Sequence, residues 1–278
     1  MLTGVVGVGL IAGLVTATVM NHGKPRHSVA ARAKPVRRVT QQSAAVVAAV
    51  TLSRAQAVTW IAQQVSPGAI VACDPDTCSA LEAAGLSSGR LFVLQPTTPD
   101  PLGSDLVVAT PAVRGQFGAR LASVYAPLVI ASFGTGATDT EIRVVATNGP
   151  SSFQASLAAD LTARISAGRK LLKHVRASTA ARADISAGSV DSRLLAVLTA
   201  LAARQRLSIA AFGDPSPGAP DIPLRGAEIG KAPLAQLRPM LAFLHGERGL
   251  YQPAQARIVR VAKGQYLLTV QYAVAPGR

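Results

Sequence analysis

Cys73 and Cys78, in Cys73-Asp74-Pro75-Asp76-Thr77-Cys78, are the only cysteines of the chain, with four residues between them. A lone close pair of this kind fits a small loop-closing disulfide, a bond that persists outside the cytosol. Two reduced thiols, or redox or metal chemistry, are the other readings. Zinc asks for four ligands, and no second cysteine pair or paired histidine accompanies these two. The spacing is two residues too long for a thioredoxin-type Cys-x-x-Cys. A second group, Asp74, Thr110, Arg114, Ser132 and Gly134, lies at the carboxyl ends of expected strands, the side on which open parallel sheets bind ligands. Thr135 and Gly136 continue it into a turn whose backbone N–H groups would suit an anion. Thr-Pro and Gly-Thr-Gly are also ordinary turn chemistry, so this rim reads either as a ligand site or as plain structure.

Reaction chemistry beyond that is thin. Of four histidines, His22 and His27 precede the folded body, which leaves His174 and His245; no Gly-x-Ser-x-Gly elbow exists, and no Ser-x-x-Lys carries its companion motifs. His245, just before Gly246, reads as a cation at a helix carboxyl end. Glycoside hydrolysis needs two carboxyl groups about 5 to 9.5 Å apart. Asp74, Asp76 and Asp139 are conceivable partners among 14 acids, but most acids sit at cap or turn positions. The expectation is no catalytic residue, no metal site and no cofactor, with a non-enzyme favoured.

Charge and hydropathy set the surroundings. The chain carries 28 basic and 14 acidic residues, net +14, and its first acid is Asp74. A basic cluster over 164–182 meets the electrostatic criterion for nucleic acid, yet aromatics make up only 4%, the charge is dispersed and no reading motif occurs, so no nucleic-acid partner is expected. Residues 3–20 form an uncharged, mostly apolar run close to the roughly 18 residues a membrane helix needs. Lys24, Arg26, Arg32, Lys34, Arg37 and Arg38 follow it, where an anionic membrane surface favours them. Residues 1–20 therefore read as a single-pass transmembrane anchor and 21–43 as a basic flexible linker. The positive-inside rule would put the rest in the cytoplasm, whereas the cysteine pair places it outside, and a start upstream of Met1 would restore a basic flank. Ala31-Arg32-Ala33 lies too far beyond the apolar run for a good cleavage site, so an uncleaved anchor with an extracytoplasmic body is expected.

The elements that must hold these residues read as α/β. With 49% apolar residues and few aromatics, the core must come from Ala, Val, Leu and Ile. Residues 44–150 and 174–278 read as two small α/β domains with largely parallel sheets, joined by a helix over 151–173. In the first domain a helix runs from 43, with Ser53 as an N-cap and Ala57, Trp60, Ile61 and Gln64 on one face, until Pro67-Gly68 breaks it. Trp60 reads as its core anchor. Strands follow over 69–72, 91–94, 105–110, 128–132 and 141–147, with helices over 78–84 and 111–124. The connecting helix shows an apolar stripe of Leu157, Leu161, Ile165 and Leu172 with Arg164 off it, and Gly168 is where it would bend. The second domain reads as strand 174–177, helix 190–204, strand 207–212, loop 216–223, helix 233–245 and a hairpin of 256–262 with 266–273 across Lys263-Gly264.

Cys73-Asp74-Pro75 with Cys78, Val108-Ala109-Thr110-Pro111-Ala112-Val113-Arg114, Ala131-Ser132-Phe133-Gly134, Val190-Asp191-Ser192-Arg193-Leu194-Leu195 and Ala211-Phe212-Gly213-Asp214 together resemble an uncharacterised family of membrane-anchored extracytoplasmic proteins of actinobacteria. That resemblance implies an envelope location and carries no activity. Residues 174–273 are also similar, in the order of their elements, to outer-membrane-protein-A-like domains. In those domains a Gly-x-x-Asp turn precedes an Arg-bearing helix that holds a cell-wall carboxylate. Gly213-Asp214 and Arg225 stand at the related places, at a different spacing, and the Asn and paired Arg positions have no counterpart. Together these readings predict an envelope accessory or scaffold protein, non-enzymatic, whose partners are the membrane and a cell-wall polymer or another envelope protein. The alternative is a ligand-binding or hydrolytic envelope protein using the strand-end rim.

Overall fold

The computed structural model describes residues 36–213 and 216–275, with side chains from residue 43 onward. The expected anchor 1–20, most of the linker, Ala31-Arg32-Ala33 and Asp214 lie outside the described residues. Helix α1 (Val36–Gln64) starts inside the segment expected to be a flexible linker. Its stretch Ser43–Gln64 is long and apolar enough to cross a membrane. From Ser53 onward it is a core helix, with Ser53, Ala57, Val58, Trp60 and Ile61 buried against the body. Ser53 is thus mid-helix rather than an N-cap.

The first sheet is built from β1 (Val71–Cys73), β2 (Leu91–Val93), β3 (Leu106–Ala109), β4 (Leu128–Phe133) and β5 (Thr140–Val144), in the order β2-β1-β3-β5-β4. β1 runs parallel to β2 and β3, while β5 is antiparallel to both β3 and β4. The six residues between β4 and β5 are too few for a parallel crossover, which requires a hairpin and makes the sheet mixed. Strand alternation feeds two cores. Leu106 and Val108 face α1 and α2 (Pro75–Ala83), and Val107 and Ala109 face α3 (Pro111–Phe117) and the π-turn Leu121–Tyr125. Helix α3 stops at Gly118 (φ 56°), so the helix expected over 111–124 is two pieces.

Helix α4 (Pro150–Leu171) leads into the second unit, where β6 (Val175–Ala177), α5 (Thr179–Ala187), α6 (Ser192–Arg204), β7 (Leu207–Gly213), β8 (Gly226–Ala232), α7 (Leu234–Gly246), β9 (Gln255–Ala262) and β10 (Gln265–Gln271) follow. The strand order is β6-β7-β8-β10-β9, and only β6 and β7 are parallel. The expected largely parallel sheets are therefore corrected in both units: two mixed five-stranded sheets replace them. Here β8, which the sequence pattern does not reveal, inserts between β7 and β10 and turns most of the sheet antiparallel. The helices pack on one face in a single core of Leu194, Leu198, Leu201, Ile209, Ile229, Leu237, Leu268 and their neighbours.

Helix α4 runs unbroken through Gly168. A Cβ there would lie 2.6 Å from the Ile185 carbonyl oxygen, so the glycine serves the close crossing of α4 and α5. That crossing sets the buried face at Arg164, Gly168 and Leu171 instead of the expected leucine stripe, and leaves Leu161 exposed. Arg164 is buried, paired with Asp160 at 2.7 Å and donating to the Gly188 carbonyl. The two units also meet through the chain's return. Val274 donates to the Gln64 carbonyl at 2.7 Å and accepts from Ser66 at 2.8 Å, and Ile222 and Val274 join the core beneath α1.

Candidate functional site

β1, β3 and β4 all point the same way, so their carboxyl ends share one end of the first sheet. Asp74 follows β1 and caps α2; Thr110 follows β3 and caps α3, each with proline as the first helical residue. The chain thereby sets two N-caps side by side. The Thr110 hydroxyl donates to Asp74 Oδ2 at 2.6 Å, and Thr77 donates to the same carboxylate from both its amide and its hydroxyl at 3.0 Å. Asp74 is 8% exposed and Thr110 fully buried. Next to them, the Cys73–Cys78 disulfide ties the end of β1 to the first turn of α2, with both half-cystines buried.

Arg114, one turn into α3, reaches across to the β4–β5 connection. It donates to the carbonyls of Ala109 at 2.8 Å and Asp139 at 2.9 Å, and pairs with the Asp139 carboxylate at 2.7 Å. From the other side, the Ser53 hydroxyl of α1 donates to the Thr138 carbonyl at 2.8 Å and lies 3.1 Å from the Thr140 hydroxyl. Gly134 (φ 85°) sits where a Cβ would come within 3.1 Å of Ser53 Cβ and 3.3 Å of Asp139 Cα. A side chain there meets both an unfavourable backbone conformation and a crowded turn.

All five rim residues therefore gather at one end of the sheet, in two sets. Asp74, Thr110 and Arg114 are bonded inward to caps and to a loop. Ser132 and Gly134 instead border an open groove of about 620 Å³ between α1 and the end of β4, lined also by Gln56, Thr59, Trp60 and Phe133. Trp60 is buried beneath it, edge-on to Phe133 at 6.3 Å, with the Arg225 guanidinium 6.0 Å from its ring. The α1 contribution to this groove escaped the sequence reading; Gln56, Thr59 and Gln63 recur at helical spacing on its exposed face, the one pattern in the sequence from which it could be read.

The acids considered for paired-carboxylate chemistry are separately engaged: Asp76 is exposed and paired with Arg54 at 3.4 Å, and Asp139 with Arg114. His245 lies in the last turn of α7, its ring nitrogen 3.4 Å from the Ala256 carbonyl oxygen, and His174 is exposed before β6. Among the described residues no three metal-ligating side chains gather. Arg225 leads into strand β8, buried, donating to the Ser216 hydroxyl at 2.7 Å. No family model matches this chain, and no curated protein or solved structure matches it either.

Proposed function

We propose that this is a membrane-anchored, extracytoplasmic accessory or scaffold protein of the cell envelope, with no reaction of its own. The observation that carries the reading is the Cys73–Cys78 disulfide beside Asp74. A buried disulfide suits an oxidising compartment, and the charged and hydroxyl groups around it hold one another: Asp74 with Thr77 and Thr110, Arg114 with Asp139. The uncharged run 3–20 supplies the tether, and partners in this reading are the membrane together with a cell-wall polymer or another envelope protein.

The test is made on intact cells carrying the full chain. External protease is expected to digest the body, and thiol labelling of protein denatured without reductant is expected to find no free thiol. A protected body with two labelled thiols would put it in the cytoplasm and end this reading.

One observation favours the alternative of a ligand-binding envelope protein. The groove beside Ser132 sets exposed amide and hydroxyl side chains over an aromatic floor, a combination suited to a glycan. Gln56→Ala with Gln63→Ala is expected to weaken binding of soluble cell-wall fragments if the groove is used; binding that is absent in wild type removes that alternative.

A further inference from the structure

The four edges of the two sheets are finished differently. β2 and β6 are three residues each, too short to template a further strand. β4 is longer, but its Ser132 amide donates to the Pro217 carbonyl at 2.8 Å, so the 216–223 loop covers it. β9 has eight residues, pairs on one side with β10, and no described segment pairs with its other side. Its register with β10 is regular from Gln255 to Arg260 and shifts by one residue at Val261, and Val259 and Val261 are 37% and 44% exposed.

Charge selects what fits this edge. Arg257 and Arg260 lie on β9 and Lys263 on the turn after it, with His245 and Arg248 near its start. The acids close by are Glu247 after α7 and Glu228 on β8, level with Thr269 and two strands inward from Arg257. A second copy would bring an edge with the same excess of basic side chains, Arg257, Arg260 and Lys263, alongside this one, and like charges across a strand pair oppose pairing. The same side chains attract an oppositely charged strand. At the start of β9 an open groove of about 400 Å³, lined by Leu244, His245, Pro253, Ala256 and Arg257, continues the edge.

We infer that β9 is a docking edge for an extended acidic segment of another protein, which adds to the second sheet as a sixth strand. Main-chain hydrogen bonds hold the segment, and carboxylates on one of its faces meet Arg257, which shares the open face of β9 with Val259. The groove takes a side chain at its end. This inference does not depend on the compartment proposed above, because the binding is a property of the folded chain in solution.

The probe is a fluorescein-labelled octapeptide alternating glutamate with valine, titrated against the full chain in detergent micelles at roughly 150 mM salt. Two controls accompany it: the lysine–valine counterpart, and the glutamate–valine peptide fully N-methylated, which keeps the charge and cannot add as a strand. The acidic peptide is expected to bind, with the lysine peptide silent and the N-methylated one weakened at least about tenfold. Val259→Pro should weaken binding by a similar factor while far-UV circular dichroism keeps the wild-type spectrum, and Arg257→Glu with Arg260→Glu should reverse the peptide preference. Equal binding of the N-methylated peptide, showing plain charge attraction, would overturn the inference. So would no binding at all, or a dimer in sedimentation that Val259→Pro dissolves.

Discussion

Thr110 and Asp74, 36 residues apart in sequence, share a hydrogen bond of 2.6 Å while each caps a different helix. The bond locks α2 to α3 at the sheet end where a ligand would be sought. Asp74→Ala removes the acceptor of three buried donors, two from Thr77 and one from Thr110, and is expected to lower unfolding stability by about 2 kcal/mol. Thr110→Val removes the shared bond and the cap on Val113, for about 1 kcal/mol. Urea denaturation followed by Trp60, the single tryptophan, reads both. An unchanged midpoint in Asp74→Ala would show that the cluster holds nothing together.

The disulfide closes a short loop, and loop-closure entropy for a ring of about six residues amounts to about 2 kcal/mol. Cys73→Ser with Cys78→Ser should therefore shift the urea midpoint by that amount, and reduced wild type should match the double variant. Both sulfurs are buried, so reduction of the native protein is expected to be slow and to speed up in urea concentrations below the transition. Rapid reduction in water would mean that the first turn of α2 is already open.

The first unit was legible because its strands are short runs of Val, Ile, Leu and Ala. Each of β1 to β5 lies within three residues of its expected bounds, and Asp74, Thr110 and Arg114 do meet at one sheet end. What the pattern does not carry is how those three are satisfied. Arg114 is answered by the Ala137 and Asp139 carbonyls of the β4–β5 connection, whose position depends on the register of β5 against β3 and β4. β8 was illegible for a different reason: Gly-Ala-Glu-Ile-Gly-Lys-Ala holds two glycines and one β-branched residue, and it is a strand because β7 and β10 flank it. α5, Ala-rich with Ile185 as its large apolar residue, gives little periodic signal. Missing β8 is what made the second sheet read as parallel.

Gly168 separates helix propensity from packing. In an isolated helix, replacing glycine by alanine gains about 1 kcal/mol. Here the added methyl meets the Ile185 carbonyl oxygen at 2.6 Å and its Cγ2 at 2.8 Å, and the first of these is backbone that moves only with α5. Gly168→Ala is expected to lose a net 1 to 3 kcal/mol, roughly the overpacking range, visible as a lower thermal midpoint. A rise in stability would mean that α4 and α5 part easily.

Tyr272 supplies a dependence on alkaline pH. Its side chain is fully buried, its hydroxyl donates to the Tyr251 carbonyl at 2.9 Å, and the Arg193 guanidinium lies 5.3 Å from its ring. Burial pushes the phenol pKa well above its ordinary value; Glu247 and Asp191 push the same way and Arg193 opposes them. The folded chain therefore holds the phenol proton more tightly than the unfolded chain, which releases it near pH 10. The stability this contributes is intact below about pH 10 and is lost as pH climbs from there through the raised folded value. Tyr272→Phe removes both the hydrogen bond and the ionisation. The variant should be less stable than wild type by about 1 kcal/mol at pH 7, with the gap narrowing between roughly pH 9 and 11 because only wild type has this phenol to lose. Urea midpoints of the two proteins across that range decide it, the remaining tyrosines being common to both. Parallel curves would show that the unfolded chain gains nothing by ionising Tyr272, and that its burial does not set the alkaline limit of the second unit.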